Sequence, residues 1–121
     1  MKREIKFRAW QPQVKRIFEV GDIDFIKEEV MLCHWGWESL NDIDLIQYTG
    51  LHDKNGREIY EGDIVKNEYG KVMEVNYDPR SAAFGVGDYY FGTIGSGKIL
   101  EVIGNIYEDG GLGDNKNSTT N

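Results

Sequence analysis

Glycine and asparagine interrupt this chain about every eight to twelve residues, the spacing of short strands joined by turns. The stretches between them are rich in Val, Ile, Tyr, Phe and Trp, and only two prolines occur in 121 residues. Each turn in such a meander needs a residue that accepts unusual backbone angles, which Gly and Asn supply. An apolar fraction of 40% with 12% aromatics provides material for a core. An all-β, mainly β protein with little helix is expected.

The alternation is clearest at Ile5-Lys6-Phe7-Arg8-Ala9, where Ile5, Phe7 and Ala9 share one face and Lys6 and Arg8 the other. Beyond Pro12, two brief apolar runs, Ile17 to Val20 and Ile23 to Ile26, flank a Gly21-Asp22 pair read as a turn. Val30 to Trp35 reads as a strand and Trp35-Gly36-Trp37 through Asn41 as a loop. Asp44 to Thr49 is extended. Asn55-Gly56 then marks a tight hairpin turn before Glu58-Ile59-Tyr60, since both residues tolerate positive φ. Lys71 to Tyr77 alternates cleanly, with Val72, Glu74 and Asn76 opposite Met73, Val75 and Tyr77. Ala82 to Phe84, Tyr89 to Phe91 and Ile99 to Ile103 supply three further candidate strands.

The succession from Tyr60 to Tyr107 suggests a five-stranded SH3-like barrel. The expected organisation is a β-rich portion over residues 1–56, a β-meander packed with an SH3-like portion over 57–108 into one compact unit, and a disordered tail over 109–121. That tail holds Gly, Asp, Asn, Ser and Thr with one Leu and one Lys, too little apolar surface to offset the entropy of ordering it.

Three blocks carry a family likeness: Ile5-Lys6-Phe7-Arg8-Ala9-Trp10, the run QYTGLHDKNGREIYEGDIV from Gln47 to Val65, and EVIGNIYE from Glu101 to Glu108. In this order they resemble the YopX family of bacteriophage and prophage proteins. The resemblance implies an all-β fold with an SH3-like C-terminal portion, and it brings no catalytic or binding residues. Gln11 departs from it, standing where the family usually places an acid, and His52 stands where a lysine is common.

Chemistry-bearing residues are sparse. Cys33 and His34 are adjacent, and neighbours on a strand point to opposite faces, which argues against a nucleophile and base there. Cys33, His34 and His52 fall short of a four-ligand zinc set. Asp22 with Asp24, and Asp42 with Asp44, have the spacing of cation-binding pairs but read as turn acids. Gly85 to Gly92 lacks the spacing of a dinucleotide loop. No enzyme activity and no cofactor are expected.

Two aromatic groups remain as candidates for binding a partner, Trp35 with Trp37 and Tyr89 with Tyr90, although filling a core is the other fate of such residues. Residues 1 to 16 hold six basic groups against Glu4 alone, in a chain of net charge −7. Lys2, Arg3, Lys6 and Arg8 are therefore a candidate basic patch. The net charge disfavours nucleic acid, whose binding draws on clustered cations. A single cysteine, no signal-like start and no apolar run near the ~20 residues of a membrane helix suggest the cytoplasm of a bacterial host, without membrane contact. The expected role is a non-catalytic protein–protein interaction module whose partner is a host or phage protein. The alternatives are nucleic-acid binding through the basic arm and acidic inhibition of a host nucleic-acid enzyme. Exposed strand edges leave a homo-oligomer open.

Overall fold

The structure, a computed structural model, describes residues 4–94 and 96–108. The tail expected over 109–121 lies outside that range. Among the described residues strands dominate, and helix is confined to a 3₁₀ turn at Leu40–Asp42 and one α-helical turn, α1, at Phe91–Ile94. The chain divides into two compact units, one up to Gln47 and the other from Tyr48 onwards.

In the first unit, β1 (Phe7–Gln11), β2 (Arg16–Asp24), β3 (Glu29–Leu32) and β4 (Gly36–Ser39) form an antiparallel meander in the order β4-β3-β2-β1, and β5 (Asp44–His52) pairs with the free side of β1. Ala9 faces Phe18 across β1 and β2, and Val20 and Ile23 face Leu32 and Val30 across β2 and β3. These residues bury one side of the meander: Ala9, Phe18, Val30, Leu32 and Ile43 form the core, with Val20, Ile23, Leu40 and Leu45 packed against it.

Two expectations for this unit are corrected. Gly21-Asp22 is not a turn but a bulge inside a continuous β2: Val20 faces Leu32 and Asp22 faces Met31, so Gly21 has no residue opposite. Glycine in a strand marks a bulge as readily as a turn. The turn comes later, at Phe25 to Glu28. The expected loop after Trp35 contains β4, while the strand expected to reach Trp35 stops at Leu32. Cys33, His34 and Trp35 make the connecting turn, with His34 at φ 65°. As an edge strand with a glutamate and no aliphatic residue turned inward, β4 lacks the apolar alternation that identifies a strand.

The second unit begins with the end of β5, which pairs through Tyr48 and His52 with β6 (Glu58–Tyr60). Next come β7 (Asp63–Lys66), β8 (Val72–Asp78), β9 (Ala83–Val86), β10 (Tyr89–Tyr90) and β11 (Glu101–Asn105), with sheet order β10-β9-β8-β7-β11. The alternation read in β8 holds, since Met73 and Val75 are buried. They join Ile59, Val65, Val86, Phe91, Leu100 and Val102 in the core. This sheet is not closed. β10 and β11 each have one neighbour, so the expected barrel closure is absent. The strand expected over Tyr89 to Phe91 ends after two residues, where α1 begins, and leaves too few backbone groups to continue the ladder.

Gly62, between β6 and β7, is fixed by three constraints. Its φ is 86°. A Cβ there would lie 2.9 Å from the Tyr107 ring. Its N–H donates to the Val75 carbonyl at 2.8 Å while its own carbonyl accepts from Ile106 N–H at 2.9 Å.

Candidate functional site

The exposed apolar surface of the first unit centres on the end of the apolar run Ile23 to Ile26. Asp24 ends β2, and its Oδ1 accepts from the N–H groups of both Ile26 and Lys27 at 3.0 Å. This side-chain-closed turn is the local structure that aspartate offers the backbone in place of a strand. It holds Phe25 and Ile26 at the tip of the β2–β3 hairpin, 75% and 96% exposed. Asp22, Asp24, Glu28 and Glu29 flank them, with Lys27 the one cation in the turn.

Trp35 and Trp37 are both about half exposed, but they do not make one patch. Trp35 packs against Phe18 with ring centroids 5.2 Å apart, on the core side of the meander. Trp37 sits opposite Met31 on β3, and alternation turns both away from the face of Val30 and Leu32. Trp35 thus shields the rim of the core, while Trp37 offers its ring on the outer face.

Of the candidate basic patch, Lys2 and Arg3 lie outside the described residues. Lys6 Nζ stands 3.4 Å from Glu4 Oε2, and Arg8 Nε donates to Glu19 Oε2 at 2.8 Å. Each cation faces an acid. Among the described residues, no group of three or more His, Cys, Asp or Glu could hold a metal ion. Cys33 and His34 occupy a turn rather than the strand expected for them.

In the second unit, Tyr89 and Tyr90 also diverge. Tyr90 pairs with Gly85, which pairs with Asn76, while Tyr89 pairs with Val86 and so shares the row of Val75. From β10 the Tyr90 hydroxyl reaches Asp78 Oδ2 on β8 at 2.6 Å, and Ser81 Oγ lies 3.0 Å from the same hydroxyl. Arg80 N–H donates to Asp78 Oδ1 at 2.9 Å. The Tyr90 hydroxyl, with the Arg80 amide, holds the Asp78 carboxyl below its usual range. A groove of about 480 Å³ opens beside this network.

A third arrangement is structural. Burial pushes the Asp53 carboxyl up, but three amide donors and Arg57 outweigh it, and the net shift is downward. Oδ1 accepts from Asn55 and Arg57 N–H at 2.9 and 2.8 Å, and Oδ2 from Val102 N–H at 2.9 Å. The Arg57 guanidinium donates to the Val102 carbonyl at 3.3 Å. Asp53 thereby closes the Asn55-Gly56 turn and ties it to β11.

The model of the family described as YopX protein matches residues 6–112. The chain belongs to the YopX family. Among solved structures, it is similar to protein EF1440 from Enterococcus faecalis, with a TM-score of 0.69 and 25% identity over 92% of this chain and 99% of that one. No curated protein matches it. Asp53 explains why two of the YopX-like blocks occur together: the Gln47 to Val65 run supplies the carboxylate and the Glu101 to Glu108 run supplies the Val102 amide. Gly62 and Ile106 join the same two blocks. The Phe25–Ile26 tip and the Tyr90 groove lie outside the three blocks that signal YopX in this sequence.

Proposed function

We propose that this YopX-family protein is a phage or prophage accessory protein that acts in the cytoplasm of the bacterial host as a non-catalytic protein-binding module. The observation that carries this reading is the Phe25–Ile26 tip. Two large apolar side chains project into solvent from a turn held in one conformation, so little ordering entropy is lost when a partner covers them. Anchors of this kind seated in a pocket contribute the larger share of binding energy at interfaces. The carboxylates of Asp22, Asp24, Glu28 and Glu29 favour a partner whose apolar pocket has a basic rim, because complementary charge steers encounter and rejects wrong partners. An acidic inhibitor of a host nucleic-acid enzyme would use such a surface. Nucleic-acid binding through the basic arm is less favoured, because Lys6 and Arg8 already face acids. In this reading the second unit is an SH3-like scaffold left open at its edges.

The test is an affinity capture from host lysate, with and without nuclease, by the wild-type protein and by a Phe25→Ser, Ile26→Ser variant. A stoichiometric protein retained by the wild type, resistant to nuclease and lost by the variant supports the reading. Both proteins should unfold within about 0.5 kcal/mol of each other, because the changes are at the surface. Equal capture by the two proteins, or capture of nucleic acid alone, overturns it.

A further inference from the structure

We infer that the groove beside Tyr90 is a binding site for an arginine side chain of a partner polypeptide. It is separate from the Phe25–Ile26 tip and stands without it. The groove is built by register. Asn76, Gly85 and Tyr90 are paired across three adjacent strands. Because the Tyr90 hydroxyl reaches Asp78 on β8, its side chain crosses β9 at Gly85. Gly85 itself has no room for a side chain. A Cβ there would lie 2.7 Å from the Tyr89 carbonyl oxygen and 3.2 Å from Asn76 Oδ1. An aromatic ring is thus laid over the outer face of the sheet, with its hydroxyl on a carboxylate.

The chemistry around that ring selects a planar cation. Asp78 is ionised and its side chain is 22% exposed, with its Oδ1 turned to the exposed side chain of Arg80, whose Nε is 3.9 Å away. At that distance the protein's own guanidinium is a loose neighbour rather than a fixed partner. Asp88 also lines the groove, and among the described residues it has neither a hydrogen bond nor an ion pair. A guanidinium can stack on a tyrosine face while its N–H groups donate in plane to a carboxylate, which a compact ammonium does less well. The same carboxylates repel phosphate, so a nucleotide is the wrong ligand. The groove is open to solvent along the sheet, so a side chain carried on a polypeptide can enter it. β10 beside it is only two residues long, so the contact rests on the inserted side chain rather than on strand pairing.

The probe is the blocked tripeptide acetyl-Gly-Arg-Gly-amide, titrated into the full chain and followed by amide chemical shifts. Saturable shifts confined to residues 76 to 90 are expected. They should be at least about tenfold weaker in affinity for Asp78→Asn, a change worth about 1.4 kcal/mol. Tyr90→Phe keeps the ring and should keep binding, whereas Tyr90→Leu should lose it. Arg80→Ala removes the competing guanidinium and should tighten binding. The citrulline peptide, uncharged and of the same shape, should give no shifts, and free L-arginine should bind more weakly than the peptide. Absent or non-saturating shifts, equal binding of the citrulline peptide, free arginine binding as tightly as the peptide, or preferential binding of uridine monophosphate each overturns the inference.

Discussion

Gln11 shows how one side chain decides what its neighbours can be. It is buried at the end of β1, where its Nε2 donates to Glu38 Oε1 at 2.5 Å and its Oε1 accepts from Gln13 N–H at 2.7 Å. An acid here would face the Glu38 carboxylate with no proton to share. Gln11→Glu should therefore lose about 1–3 kcal/mol at neutral pH. Beside a like charge the new carboxyl titrates above its unfolded value of about 4.3, so the loss is full above the raised value and recovers as pH falls through it. Urea midpoints at pH 7 and pH 4 check this. Asp53 has the opposite sign. Its native carboxyl titrates below the unfolded value of about 3.9, so its stabilisation is present above that value and is lost as pH falls through the depressed native one. Asp53→Asn, which turns an amide donor toward at least one of the three N–H groups, should cost about 1–3 kcal/mol near neutrality. The gap between variant and wild type should close in acid.

At the scale of elements, what could be read from sequence was local. The Asn55-Gly56 turn and the alternation of β8 depend on residues close together in the chain, and both stand as expected. The tip of the β2–β3 hairpin is hidden in the sequence because Ile23 to Ile26 is an apolar run, yet the Asp24 side chain closes a turn before the run ends. Aspartate two residues ahead of an exposed aliphatic was the available signal. The Asp53–Val102 bond spans 49 positions and the Tyr90–Asp78 bond crosses a whole strand, so neither site was legible without the register. Trp35 with Trp37, and Tyr89 with Tyr90, stand close together in the sequence, but each pair is divided between two faces. For the corner between β6 and β7, Gly62→Ala should destabilise by about 1–3 kcal/mol through its positive φ and the crowding against Tyr107. Thermal unfolding against a Gly70→Ala control, also at positive φ but with open space around it, separates the two causes.

For the molecule as a whole, charge is the controlling quantity. With a net −7 and with Lys6 and Arg8 facing acids, the protein should not retain duplex DNA in a gel-shift assay at 0.1 M salt. Retention that falls steeply with salt would restore the basic arm as a working element. The same balance governs how the protein behaves toward its own copies. β4 is an edge with unused backbone groups, yet Glu38 at its centre is turned to the core side and held by Gln11. A second sheet edge sliding against β4 would meet a charge embedded in the strand rather than a dry apolar row, the device by which natural edges resist polymerisation. Glu38 thus acts as a gatekeeper whose value lies in the assemblies it prevents, and its loss would be felt first as cloudy solutions at high concentration rather than as a lowered melting temperature.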